Sequence, residues 1–161
     1  MMIKLGNCTL DVDTERTRAF YARADIPTAS KQCSCPNCQN FDQAILRAPA
    51  AVLALLRSLG IDPQKPAEVY NVLGDDIEEA GTVWYNGWYH ICGSIADGSD
   101  NVQVIDETHH HIAFLWENSL SPDPAYPFRL LPVSECVMLH KEFPAPAVQL
   151  EIDAHLPYII K

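Results

Sequence analysis

The hydrophobic repeat changes from helical to strand period after Gly60, and that change constrains the fold more than any other feature. From Thr14 to Gly60 the apolar residues recur at helical spacing. Phe41, Ala44, Ile45 and Ala48 stand at i, i+3, i+4 and i+7, and Val52, Leu53, Leu56 and Leu59 continue the stripe. After Asp62-Pro63 and Lys65-Pro66 the stripe gives way to short runs rich in Val, Ile, Trp and Tyr, punctuated by Gly, Asn, Asp and Pro. Parallel βαβ units need the two periods to alternate, so a doubly wound sheet is excluded. The expected fold is α+β, with N-terminal helices packed on an antiparallel sheet of five to seven strands. It forms a single domain over 1–161, with a helical part at about 13–60 and a strand-rich part at about 67–155.

In more detail, residues 3–12 alternate loosely and predict a first strand, with Leu5, Cys8 and Leu10 as its apolar positions. Asp13 is placed to N-cap a helix over 14–24 whose inner face holds Phe20, Tyr21 and Ala24, and Pro27 stops it. Residues 28–37 read as a polar loop. A second helix is expected from near Cys38, and Pro49 either breaks it or opens a new helix at its first turn. Gly60 is a good C-terminal stop. Strands are expected at 68–73, 82–95, 102–105, 110–116, 136–140 and 148–152. Asn86-Gly87, set between Val83-Trp84-Tyr85 and Trp88-Tyr89-His90, predicts a type I′ hairpin.

A hydrophobic content of 48% with 20% charged residues suits a globular chain rather than a disordered one. The longest apolar run, 48–56, contains Pro49 and is too short to cross a bilayer. The first residues carry no apolar stretch of the secretory kind. The expected setting is therefore the cytoplasm, away from membranes, where thiols stay reduced. There, six cysteines point to free thiols, a metal site or redox chemistry before a disulfide framework. The net charge is −10, and residues 62–107 hold ten acids against the single base Lys65, which is −9 in that segment alone. Such a balance opposes nucleic-acid binding. It reads either as solvated surface or as an acidic face for a basic protein partner.

Cys33, Cys35 and Cys38 are the constellation with most chemistry in it. Three thiols within six residues can converge on one point, and zinc takes four ligands, usually thiolate or imidazole. The fourth must come from elsewhere, with Cys8, Cys92, Cys136, His90 and His140 as candidates. Cys38 sits near a predicted helix N-terminus, where the dipole lowers the thiol pKa and favours a thiolate. Cys35-Pro36-Asn37-Cys38 also has the C-P-x-C form of disulfide exchangers. That motif normally leaves a hydrophobic strand, whereas residues 28–32 are polar. The plainer reading is three reduced thiols in local packing.

Two other groups stand out. His109, His110 and His111 sit inside the chain; on a strand His109 and His111 share a face, where an H-x-H pair can bind zinc with help from Asp106 or Glu107. The cupin metal pattern is absent, since Leu115 and Trp116 stand where its Glu belongs. Trp84, Tyr85, Trp88 and Tyr89 read as cross-strand core packing before they read as a ligand cleft.

Several motifs in order carry a resemblance. They are F-Y-x-R at Phe20, C-x-C-x-x-C-x-N-F from Cys33 to Phe41, L-G-I-D-P-x-K-P-A-E from Leu59 to Glu68, G-W-Y-H at Gly87 and L-P-Y at Leu156. Together they resemble a group of bacterial proteins of similar length to which no activity is attached. The resemblance implies a bacterial stand-alone domain and brings no catalytic residue. The reading reached from the residues is a small acidic intracellular binding or interaction protein with a structural zinc on Cys33, Cys35 and Cys38. Two enzyme alternatives stand beside it, a thiol oxidoreductase using Cys35 and Cys38 and a metal-dependent enzyme using His109 and His111.

Overall fold

The computed structural model describes residues 1–161 except Asp75 and His110. It is α+β, but its first elements are strands. The expected strand over 3–12 turns back at Gly6-Asn7, giving the antiparallel hairpin of β1 (Met2–Leu5) and β2 (Cys8–Val12). Helices follow in the order α1 (Thr14–Tyr21), α2 (Ala29–Gln32), α3 (Pro36–Ala44) and α4 (Ala50–Ser58). Asp13 caps α1 as expected, its carboxylate accepting from the Arg16 N–H at 3.0 Å. The stretch expected as a loop contains the single turn of α2. Pro49 opens a new helix rather than bending an old one, and takes the N-cap position of α4. Gly60 ends α4 with φ +86, and an added Cβ there would meet the Thr14 carbonyl at 2.5 Å.

Six strands form the main sheet. After β1 and β2 come β3 (Glu68–Asn71), β4 (Thr82–Asp97), β7 (Phe128–Val133) and β8 (Ala147–Pro157), while β5 (Val102–Asp106) and β6 (His111–Phe114) pair separately. The spatial order is β1-β2-β4-β8-β7, with β3 also on β4, and every pairing described is antiparallel. The long strand β4 organises this sheet. Thr82–Cys92 pair with β8, Tyr85–Trp88 with β3 and Gly93–Asp97 with β2.

This arrangement overturns the hairpin at Asn86-Gly87, because β4 runs straight through it. Gly87 pairs with Val69 on β3 and with Ile152 on β8. Its role is close approach, not a turn: an added Cβ would lie 2.3 Å from the Glu68 carbonyl and 2.9 Å from Val69 Cα. The alternation was already unbroken in the sequence, since Val83, Tyr85, Gly87, Tyr89 and Ile91 are all buried on one face. Residues 136–140 form no strand. β7 has no counterpart among the expected strands; Pro132 stands within it, and is tolerated because β7 is the last strand of the sheet.

The helices cover one face of the sheet. Phe41, Ile45, Val52 and Leu56 share a single apolar cluster with Tyr85, Tyr89 and Ile91 of β4 and Leu150, Ile152 and Leu156 of β8. The opposite face of β8 carries Gln149, Glu151 and Asp153, all buried. Part of this cover comes from the segment after β7. The Val137 N–H donates to Gln149 Oε1 at 2.6 Å, and Trp88 Nε1 donates to the Val137 carbonyl at 3.1 Å. Among the described residues, no helix is long and apolar enough to cross a membrane.

Candidate metal centre

The C-x-C-x-x-C-x-N-F segment divides into a part that presents sulfur and a part that anchors it. α2 ends at Cys33, whose N–H still bonds the Ala29 carbonyl at 3.0 Å. The chain is then extended at Cys35, the N-cap of α3, and Pro36 supplies a first helical residue that has no N–H to satisfy. Cys38 lies one turn in, its N–H directed at Cys35 Sγ at 3.4 Å. Asn40 and Phe41 hold this helix start to the sheet. Asn40 is fully buried; its amide donates to the Tyr85 hydroxyl and the Pro157 carbonyl, both at 3.1 Å, and its oxygen accepts from the Ile159 N–H at 2.7 Å. Tyr85 in turn donates to the Asn37 carbonyl at 2.7 Å, and its ring meets Phe41 edge to face at 5.3 Å.

The three sulfurs all lie within 4.8 Å of one another, close enough to bind a metal ion. Among the described residues they are the only group of three or more His, Cys, Asp or Glu so placed. A cavity of about 300 Å³ opens on them, lined also by Glu68, Tyr70, Asn71 and Tyr85. None of the proposed fourth ligands lines it. Cys8 instead bonds the Ser99 carbonyl at 3.2 Å, and His90 reaches Gln149 at 3.2 Å. Cys92 follows His90 and Ile91 along β4, Cys136 lies near Ser134, and His140 packs on Phe20. Glu68 on β3 is the carboxylate that lines the same cavity, outside the group of three sulfurs that lie within 4.8 Å of one another.

Ionisation is divided differently from the expectation. Burial opposes the Cys35 thiolate, but the N–H groups of Cys38 and Asn37 and the thiols of Cys33 and Cys38 outweigh it, so its pKa falls below the ordinary thiol value. Burial, and then the neighbouring Cys35 sulfur, push the Cys38 thiol well above that value. The sulfur whose thiolate the helix start favours is that of the N-cap residue, because the donors there point at it and not at Cys38.

At the histidine run, Asp106 and His109 Nδ1 are 2.5 Å apart and the rings of His109 and His111 are 5.8 Å apart, on an exposed turn. These three do not converge closely enough to hold an ion together. His110 lies outside the described residues. The aromatic residues of β4 separate by face: Tyr85 and Tyr89 are core, while Trp84 and Trp88 point to the polar face and bond Asp153 and Val137. No family model, curated protein or solved structure matches the chain.

Proposed function

We propose that this protein is a non-enzymatic acidic binding protein whose helical part is stapled by zinc on Cys33, Cys35 and Cys38. The convergence of three sulfurs within 4.8 Å carries the reading. A tetrahedral site with Zn–S bonds of about 2.3 Å needs sulfurs about 3.8 Å apart. The 4.8 Å within which the triplet lies is close to that spacing. The lowered Cys35 pKa supports a thiolate ligand, and Glu68 or a water would complete the shell from the cavity. Asp76, Glu79, Asp97 and Glu107 are exposed acids within the −9 segment, and they suit a basic protein partner.

Metal analysis of protein produced with zinc in the medium is expected to find up to one ion per chain, lost when Cys33, Cys35 and Cys38 are all replaced by Ser. Chelation should lower the melting temperature, because metal binding is linked to folding. Zinc-free protein with six freely titrating thiols overturns the reading. One observation favours a second reading, a thiol oxidoreductase: a readily ionised Cys35 precedes a buried Cys38 by one turn. Mild oxidant followed by mass spectrometry separates the two. A reversible Cys35–Cys38 disulfide supports exchange, whereas thiols that alkylate only after chelation support the zinc staple.

A further inference from the structure

The sheet face turned away from the helices holds a second cavity, of about 450 Å³, between β7, β8 and the segment that precedes β7. Its size falls within the range of small-molecule sites. Arg129, Asp153 and His155 line it together with Tyr126, Pro124 and Pro127. Asp153 is almost wholly buried and accepts from Trp84 Nε1 at 2.6 Å, from Arg129 Nε at 3.0 Å and from Arg129 Nη2. These three donors occupy most of the acceptor sites of this carboxylate. Its effect is to lock the guanidinium, whose flat face is also braced by Trp116 at 5.0 Å from the ring centroid. Arg129 remains partly exposed, and Nη1 has no protein acceptor among the described residues.

His155 is fixed in the same manner. Nδ1 lies 2.9 Å from both carboxylate oxygens of Glu78, which the Thr82 hydroxyl holds at 2.5 Å. Its ring stacks on Trp84 at 5.4 Å and 12°. A carboxylate can only accept, so Nδ1 carries the hydrogen and, in the neutral imidazole, Nε2 is left as an acceptor. Two side chains on one cavity are therefore braced by acids, Arg129 by the buried Asp153 and His155 by the half-buried Glu78, one presenting spare N–H donors and the other a spare acceptor. Preorganisation of this kind goes beyond what packing alone requires, since an exposed Arg and His can meet water without such bracing.

We propose that this cavity binds a small organic carboxylate that also carries a hydroxyl: Arg129 takes the carboxylate, His155 Nε2 accepts from the hydroxyl, and Tyr126 with the two prolines covers the apolar body. The test is NMR titration of the full chain with 3-hydroxybenzoate, observing the Arg129 Nε–Hε and His155 ring signals. Saturable shifts are expected, with a Kd of about 1 mM or tighter. Benzyl alcohol, which lacks the carboxylate, and inorganic phosphate, which lacks the apolar body, should each bind at least about tenfold more weakly. Arg129→Gln should weaken 3-hydroxybenzoate at least about tenfold. Tyr126→Ala, which leaves the Arg129–Asp153 pair in place, should weaken it in a chain that still folds by circular dichroism, with a lower melting temperature because Tyr126 also packs on the core. Shifts that do not saturate, equal binding of either control compound, or unchanged affinity in a folded variant overturns the proposal.

Discussion

Replacing Glu151 with Gln should make this protein more stable at pH 8 and leave it almost unchanged near pH 5. Glu151 is 4% exposed on β8, opposite Trp88 of β4, and its one side-chain hydrogen bond comes from the Gln149 amide. Burial pushes its pKa up from the ordinary 4.5 to about 7, against the smaller opposing effect of Gln149. The folded chain therefore binds this proton more tightly than the unfolded chain between those pH values. Stability from this group is full below 4.5 and is lost as pH rises through 7. At about 1.4 kcal/mol per pKa unit of difference between the two states, the cost above pH 7 is about 3 kcal/mol. That is a large fraction of the 5–15 kcal/mol of roughly typical domain stability. Gln keeps the shape, and its carbonyl can still accept from Gln149, but it cannot ionise.

The assay is urea unfolding of both proteins at half-unit steps from pH 5 to 8. The quantity read is the difference between the two proteins at each pH, in which ionisations common to both cancel. His90 is such a group; burial lowers its pKa, and its effect on stability runs the other way, rising with pH. The variant's advantage should grow by about 2.5 kcal/mol across the range. A difference that stays flat with pH, or a wild type that is the more stable protein at pH 8, refutes the reasoning.

Gly87→Val should cost about 2 kcal/mol or more, because its Cβ would collide with the β3 backbone at Glu68 and Val69. Chemical unfolding reads the loss, and since β3 lines the cysteine cavity, the variant should also hold zinc less tightly in a chelator competition. Asn40→Ala removes a buried amide serving Tyr85, Pro157 and Ile159 and should cost about 3 kcal/mol. An unchanged urea midpoint would contradict the close approach of β3 to β4 in the first variant and the anchoring of α3 in the second. In the metal-free protein at pH 7, Cys35 should alkylate faster than Cys38, as read by mass spectrometry of the modified peptides; the reverse order would return the ionised sulfur to Cys38.

The α+β class, the capping Asp13, the stop at Gly60 and the convergence of Cys33, Cys35 and Cys38 are local properties. They depend on hydrophobic period, on backbone freedom at one residue or on sulfurs few bonds apart, so the sequence by itself determined them. Asn86-Gly87 shows the limit of such reasoning. The dipeptide favours a turn, but two partner strands, β3 and β8, pull the segment straight, and long-range pairing outweighs a local preference. The alternation of Val83, Tyr85, Tyr89 and Ile91 through that point was legible and carried more weight than the turn signal. Tertiary structure alone decided which residues meet across the sheet. Gln149, Glu151, Asp153 and His155 alternate with apolar residues as any half-solvated strand would, yet the first three are buried. What buries them, the segment after β7 together with Trp84, Trp88 and Arg129, arrives from distant parts of the chain. It was likewise the fold that put Cys8, Cys92, Cys136, His90 and His140 elsewhere and set Glu68 beside the sulfurs. A side chain's chemistry is written in its residue, but its solvent and its neighbours are supplied by the chain folding back on itself.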